Sequence, residues 1–330
     1  MREPDLLIEW PAGARGEHVL RTVAHGVHGP LGMLLAPVEG AYTSAMALRN
    51  AAYDARFFKT HRVAVPVISI GNIVAGGAGK TPLTRWLTGQ LLARGRRPAI
   101  LHGGYGMDEP RLHHQWHPEL PVIADRDRVA GARHAIGQGA DVILLDDGFQ
   151  HRRLARDLDI VLIAAETTNA RLLPRGPARE PMRALRRAGF VLITRKSAGP
   201  DDALLLETRV HQSAPAAGRG RVYLRIRDVP AGEPVVAVAA IARPDLLLAQ
   251  LLRAGSRVEL LLAYPDHHDY SPADAAYLAQ RVGNRLLVTT AKDAVKLREL
   301  LPEQPLLVIE QDVVFESGMG ELMTAVDNIL

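Results

Sequence analysis

Short apolar runs alternate with amphipathic segments along most of the chain, beginning at residue 63. The apolar runs predict strands, because a strand covered on both faces of a parallel sheet is apolar at nearly every position. Strands are predicted at 63–70, 98–102, 141–145, 158–163 and 190–194, with helices at 81–95, 128–137 and 182–188. This alternation predicts right-handed crossovers and a mostly parallel sheet with helices on both faces.

A second, smaller α/β domain is predicted towards the C-terminus. Polar stretches that contain glycine or proline interrupt the pattern at 197–200 and 213–220, and we place a domain boundary near residue 220. Further strands are predicted at 221–226, 234–240, 258–264, 286–290 and 306–309. Helices between them make the second domain α/β as well.

The first 60 residues contain an apolar face at helical spacing, followed by basic residues. The face comprises Leu31, Leu34, Leu35, Val38, Tyr42 and Met46, and the basic residues are Arg49, Arg56 and Lys59. Such a segment can lie on a membrane surface. The alternative is a helix that packs on its own domain, which Pro37 and Gly40 favour by interrupting the pattern. Without about 18 consecutive apolar residues or a secretory signal, the pattern predicts a soluble or peripheral protein.

Composition narrows the possible chemistry. The chain has 330 residues, 47% of them hydrophobic, and a formal net charge of only +4. This small excess of charge, with 5% aromatic residues, gives no indication of a nucleic-acid partner. The chain has no cysteine, which excludes disulfides, thiolate zinc sites and cysteine nucleophiles.

A glycine-rich loop follows the first predicted strand and leads into a helix. The predicted nucleotide-binding residues are Gly76, Gly77, Ala78, Gly79, Lys80, Thr81 and Pro82. Glycines allow successive N–H groups to face an anion, the lysine adds positive charge, and the threonine hydroxyl can ligate Mg²⁺. The strict phosphate-loop pattern has glycine where this chain has Val74, and the alternative is a glycine-rich turn with an incidental lysine. We predict a P-loop NTPase-like fold that binds a nucleoside triphosphate.

Two acids end another buried strand. Asp146 and Asp147 follow the apolar run 142–145, an arrangement that holds Mg²⁺ beside a bound triphosphate. Asp146 is the predicted metal ligand together with Thr81. If the strand persists, Asp147 points the other way and organises the loop or the acceptor. The alternative is that both acids merely cap the following turn.

A second group of titratable residues follows a strand of the C-terminal domain. Asp266, His267, His268 and Asp269 could together hold a metal, or Asp269 could instead mark the start of a helix. His267 is also a candidate for proton transfer, or for orienting a proton-transfer residue, because imidazole titrates near neutrality.

Taken together, these residues resemble the tetraacyldisaccharide 4'-kinases of lipid A biosynthesis. The similarity follows the same order along the chain and is carried by segments 66–82, 146–152, 172–181, 265–268 and 289–297. The segment 146–152, Asp-Asp-Gly-Phe-Gln-His-Arg, is the most specific of them. The resemblance implies an ATP-dependent kinase that phosphorylates a membrane-embedded glucosamine disaccharide.

The resemblance also implies a site and a location. Asp108 would act as the base, assisted by His267, and with Lys80 and Asp147 these are the predicted catalytic residues. The cofactors would be ATP and Mg²⁺, and the substrate an acylated disaccharide lipid at the cytoplasmic face of the inner membrane, with no obligate protein partner. The predicted domains are a membrane-proximal helical segment at 1–60, a nucleotide-binding domain at 61–220 and a smaller domain at 221–330 that faces it across the active site.

Three features depart from the family pattern. Gly103 stands where arginine usually precedes Gly-Tyr-Gly, the segment between Gly106 and Asp108 is shortened, and Ala291 replaces a glutamate. These departures are consistent with an altered acceptor site or weakened activity, and 108–110 could be only a solvated turn. The alternative from another class is a membrane-associated P-loop ATPase switch, which transfers the γ-phosphate to water instead of a lipid.

Overall fold

The computed structural model describes residues 8–11, 27, 29–104, 106–167 and 170–330. The chain divides into two compact units. The larger comprises Leu20–Tyr223 and Val313–Leu330, and the smaller comprises Met1–Val19 and Leu224–Asp312. The predicted helical segment at 1–60 therefore is not a unit of its own, and the last 18 residues group with the larger unit instead of the predicted C-terminal domain.

The strands form two sheets. They are β1 (Ile8–Glu9), β2 (Val67–Asn72), β3 (Pro98–His102), β4 (Val122–Ala124), β5 (Val142–Asp146), β6 (Leu158–Ala164), β7 (Phe190–Arg195), β8 (Gly218–Ile226), β9 (Pro234–Ala239), β10 (Arg257–Ala263), β11 (Leu286–Thr290), β12 (Leu306–Ile309) and β13 (Gln311–Ser317). One sheet has the order β13-β8-β7-β6-β2-β5-β3-β4 and the other β1-β10-β9-β11-β12. From β8 through β4, and throughout the second sheet, neighbouring strands are parallel.

Helices connect the strands. They are α1 (Gly29–Asp54), α2 (Lys80–Ala93), α3 (Asp108–Trp116), α4 (Arg128–Gly137), α5 (Pro200–Ser213), α6 (Pro244–Arg253), α7 (Pro272–Val282), α8 (Ala291–Leu300) and α9 (Met319–Asp327), with short 3₁₀ turns at Ala165–Thr167 and Met182–Arg187. The predicted α/β fold, with a mostly parallel sheet, is confirmed.

Both faces of the larger sheet are covered. Ile68 packs with Leu87 of α2 and Leu322 of α9 on one face, whereas the preceding residue, Val67, packs with Val129 of α4 on the other. Successive strand residues thus point to opposite faces and are buried on each. The contact of Leu322 explains why the C-terminal segment belongs to this unit.

Helices α1 and α3 differ from the sequence interpretation in ways that bear on the site. Helix α1 continues through Pro37 and Gly40 for 26 residues instead of being interrupted. Helix α3 occupies a segment for which no helix was predicted, and its first residue, Asp108, is buried with 3% exposure. The interpretation of 108–110 as a solvated turn is therefore wrong, because its acid is enclosed by the fold.

Candidate active site

The glycine-rich loop joins the end of β2 to the start of α2. Gly76, Gly77 and Gly79 have φ values of 78°, 56° and 89°, in the left-handed region that a side chain disfavours. Gly79 immediately precedes Lys80, the first residue of α2. The loop therefore places backbone N–H groups and the positive end of the helix dipole where an anion can bind.

Lys80 lies beside a carboxylate that a second cation also holds. Its Nζ is 3.5 Å from Asp147 Oδ1, and Arg179 Nη1 donates to both carboxylate oxygens of Asp147 at 3.0 and 2.8 Å. Burial opposes ionisation of Asp147, but the charges of Lys80 and Arg179 outweigh it and lower its pKa. Asp147 thus stays anionic and fixes two cations next to the loop.

Asp146 ends β5 in the centre of the sheet, in register with Ile70 of β2. Its side chain is 1% exposed, and His113 Nε2 and His102 Nδ1 lie 3.4 and 3.9 Å from its Oδ2. Neither carboxylate oxygen has a hydrogen-bond partner among the described residues. Burial opposes ionisation, yet the two imidazoles and the ammonium of Lys80 lower the pKa of Asp146 to about 2.

The first turn of α3 brings a further acid to the loop. Thr81 Oγ1 donates to Glu109 Oε1 at 3.4 Å, and Asp108 precedes Glu109 at the start of the helix. The sequence indicates site roles for Thr81 and Asp108 but not for Glu109. The sequence signal was present in the Asp-Glu-Pro segment, although nothing local to it predicts a contact with Thr81.

In the smaller unit, His267 follows β10 and has a φ of 63°. Lys292 Nζ lies 3.0 Å from His267 Nε2 and 3.4 Å from Asp266 Oδ1. His268 Nε2 instead contacts Asp274 Oδ2 at 3.2 Å. The residues 266–269 do not gather into a metal-binding group among those the structure describes. The structure does not test the predicted pairing of Asp108 with His267, which lie in different units.

Helix α1 presents two different faces. Polar contacts attach one face to the rest of the larger unit: Arg175 Nη1 to Glu39 Oε2 at 3.0 Å, Tyr42 Oη to the Arg179 carbonyl at 2.9 Å, and Asn50 Nδ2 to Glu180 Oε2 at 2.8 Å. The other face exposes Met33 by 76%, Leu34 by 75% and Leu48 by 73%. By length and composition this helix alone, within the described chain, could cross a membrane.

Comparison with known proteins gives one family. The sequence model of the tetraacyldisaccharide-1-P 4'-kinase family, LpxK, matches residues 31–108 and 107–329. The two matched stretches meet where the chain is shortened after Gly106.

The alignments to two relatives and to one solved structure extend over most of both chains. A tetraacyldisaccharide 4'-kinase of Anaeromyxobacter sp. (strain Fw109-5) is 37% identical over 90% of this chain and 92% of its own. Another, of Xanthomonas euvesicatoria pv. vesicatoria (strain 85-10), is 38% identical over 82% of this chain and 84% of its own. The crystal structure of LpxK from Aquifex aeolicus in complex with ATP matches with a TM-score of 0.70 and 26% identity, covering 90% of this chain and 98% of that one.

These matches confirm the resemblance found in the sequence. The fold matches that of an LpxK crystallised with ATP, and the relatives match this chain over most of their own length. The chain belongs to the tetraacyldisaccharide-1-P 4'-kinase family, the ATP-dependent kinases of lipid A biosynthesis.

Proposed function

We propose that this protein transfers the γ-phosphate of ATP to the 4'-hydroxyl of a tetraacyldisaccharide 1-phosphate. The observation that carries the proposal is the phosphate loop with Lys80 at the start of α2, 3.5 Å from Asp147. The site's location supports it, because ligands of parallel α/β sheets bind at the carboxyl ends of the strands. A relative named tetraacyldisaccharide 4'-kinase matches 90% of this chain.

The glycine-rich loop and Lys80 bind the phosphates of ATP. The N–H groups of 76–81 surround the phosphates, and Lys80 contributes charge where negative charge develops during transfer. Asp147 and Arg179 act as positioning residues for Lys80, because the carboxylate holds the ammonium at the loop before the nucleotide arrives. Pro82 lies in the first turn of α2, where its missing N–H removes no helical bond.

The residues present fit Mg²⁺. Its preferred ligands are oxygens, and the Asp146 carboxylate is buried without a hydrogen-bond partner among the described residues. Thr81 and Asp146 would hold the ion, with Glu109 beside Thr81. When bound, Mg²⁺ neutralises phosphate charge and lowers the barrier to transfer.

Asp108 is the proposed general base. A sugar hydroxyl is a weak nucleophile at neutral pH, and a positioned proton acceptor contributes about 10²–10⁴-fold to the rate. Asp108 is buried at the start of α3, next to the residue that contacts Thr81. His267 would orient it, and Lys292 in turn holds the imidazole of His267. The dyad rests on family resemblance.

The proposed location is the cytoplasmic face of the inner membrane. The exposed apolar face of α1 supports a peripheral attachment, because an apolar helix face stabilises binding to a bilayer surface. The contacts of Glu39, Tyr42 and Asn50 favour this over a spanning helix, since spanning would break them and leave polar groups in lipid.

A transfer assay with matched lysine variants tests the function. Wild type, Lys80→Ala and Lys59→Ala would be incubated with γ-labelled ATP, Mg²⁺ and a tetraacyldisaccharide 1-phosphate in detergent. Lys59 is exposed and serves as the control. We expect Lys80→Ala to lower lipid labelling about 10²–10³-fold and Lys59→Ala to leave it unchanged. Near-normal labelling by Lys80→Ala would contradict the assigned phosphate loop.

A further inference from the structure

Two histidines face the buried carboxylate of Asp146 from separate elements. His102 ends β3 and His113 lies in α3, with 5% and 0% exposure. Their rings lie side by side, with centroids 5.2 Å apart. One ligand atom from each histidine and one from Asp146 lie within 4.8 Å of one another. Neither residue was singled out in the sequence analysis, because the grouping depends on tertiary packing.

These groups face one another, with His113 Nε2 3.4 Å and His102 Nδ1 3.9 Å from Asp146 Oδ2, but they form few well-formed hydrogen bonds. Within the described part of the chain, both ring nitrogens of His113, Nε2 of His102 and both oxygens of Asp146 are buried without a hydrogen bond. Most buried polar atoms are paired, so an unpaired cluster calls for an explanation such as a bound ion.

We propose that His102, His113 and Asp146 form a binding site for a divalent transition metal, with Zn²⁺ the best match. Imidazole nitrogen suits Zn²⁺ and related ions, whereas Mg²⁺ prefers oxygen. Bonds of about 2.0–2.2 Å to a central Zn²⁺ place tetrahedral ligands about 3.3 Å apart. The separations of 3.4 and 3.9 Å from Asp146 Oδ2 approach this value.

Three protein ligands leave the fourth position of a tetrahedral ion open. Such sites are exchangeable or catalytic, whereas structural zinc sites are closed by four protein ligands. This ion would occupy the end of β5 and engage the carboxylate that we assign to Mg²⁺. The two metals would then compete for Asp146.

Direct metal binding tests the site without reference to catalysis. Tag-free protein, stripped with a chelator, would be titrated with Co²⁺ and followed by its visible absorption, then with Zn²⁺ as competitor. His113→Leu and His102→Ala remove ligands, while His114→Leu changes the neighbouring exposed histidine and is the control. Loss of outer contacts to a metal ligand already costs about 10–100-fold in affinity, so we expect ligand loss to cost at least about 100-fold.

The metal affinities of wild type, the ligand variants and the control decide whether the site exists. Tight binding by wild type and His114→Leu, lost in both ligand variants, would support the site. Unchanged binding in His113→Leu, or equal loss in His114→Leu, would overturn it. If His113→Leu does not fold, His113→Gln and His102→Asn replace it. Zn²⁺ should also raise the unfolding temperature of wild type but not of folded ligand variants.

Competition between Zn²⁺ and Mg²⁺ for Asp146 predicts an effect on catalysis, and this prediction rests on the proposed kinase function. At fixed Mg²⁺, Zn²⁺ should inhibit lipid phosphorylation by wild type and inhibit His113→Leu far less. Metal binding without such inhibition would contradict the Mg²⁺ role of Asp146 while leaving the transition-metal site intact. Absence of binding would overturn the site whatever the kinase assay shows.

Discussion

Asp147 shows how a single residue organises the nucleotide site. Its backbone is left-handed, with φ of 57°, a conformation that aspartate tolerates better than most residues. Holding a non-glycine residue there costs of order 1–3 kcal/mol. In return the turn directs the carboxylate to Lys80 and Arg179 instead of continuing β5. The predicted divergence of Asp146 and Asp147 assumed that the strand continues, but β5 ends at Asp146, so the left-handed turn and not strand alternation sets the direction of Asp147.

The proposed base is tested by a double-variant comparison. We expect Asp108→Ala and His267→Ala each to lower kcat by about 10²–10⁴-fold with little change in ATP binding. If the two act as a unit, the double variant loses much less than the product of the single losses. Asp269→Ala is the control, because that side chain lies near His267 but is 98% exposed.

Two outcomes would contradict the dyad. Multiplicative losses would mean that Asp108 and His267 act independently. An unaffected Asp108→Ala enzyme would place the base elsewhere, or mean that transfer needs none.

At the scale of elements, α1 has one face that contacts the protein and one apolar face that is exposed. The face carrying Glu39, Tyr42 and Asn50 contacts the larger unit, while Met33, Leu34 and Leu48 are exposed. Packing on its own domain therefore describes one face of the helix, and membrane attachment through the other face is the proposal. The exposed face can be altered without touching the contacts that hold the helix in place.

Charge placed on that face should weaken membrane binding. Burying a leucine-sized side chain stabilises by about 1.5–3 kcal/mol, so we expect Leu34→Glu to lower partitioning to anionic vesicles at least about 10-fold. Gln212→Glu adds the same charge at an exposed polar position of α5, outside α1, and is the control. Vesicle sedimentation measures both. Equal binding by wild type and Leu34→Glu would contradict peripheral attachment through this face.

The elements divide clearly into those that local sequence predicts and those it does not. Leu286–Thr290 was predicted to the residue as a short apolar run, and Arg128–Gly137 as the helical segment between two such runs. Helix α3 was missed because the segment 108–116 is polar and contains a proline and two histidines. Its apolar anchor is Leu112, which is buried only once the chain has folded. Its local signals are the acids Asp108 and Glu109 in the first turn and the histidines in the last turn.

At the scale of the whole molecule, long-range packing determines which residues meet at the site, and local sequence patterns do not predict all of these meetings. Topology predicted that the loop and the acids after β5 would converge, because parallel strands end at one edge. It did not predict Glu109, Arg179 or the two histidines near Asp146, which arrive from other elements. The grouping of Val313–Leu330 with the larger unit likewise depends on Leu322 and Val326 entering a distant core.

Acid should destabilise the fold through His151. Burial and the nearby Arg128, Arg156 and Arg153 lower its pKa to about 4, whereas an unfolded histidine titrates near 6.5. Between these values the unfolded chain binds more protons, so stability falls as pH drops from about 6.5 to about 4.

Urea unfolding at pH 7 and pH 5 measures this contribution. After allowance for solvent screening, we expect about 1 kcal/mol of the wild-type loss to come from His151. His151→Gln should reduce the pH-dependent loss by that amount, and the exposed His114→Gln should not. The same loss in wild type and His151→Gln would contradict the assignment.

The most direct test of kinase function is the stoichiometry of a single reaction. ADP, phosphorylated lipid and inorganic phosphate would be measured together as wild type consumes γ-labelled ATP with Mg²⁺ and the disaccharide lipid. A kinase forms one phosphorylated lipid, labelled at the 4'-position, for each ADP, and little inorganic phosphate. ADP matched by inorganic phosphate, with unlabelled lipid, would contradict this account and identify an ATPase switch.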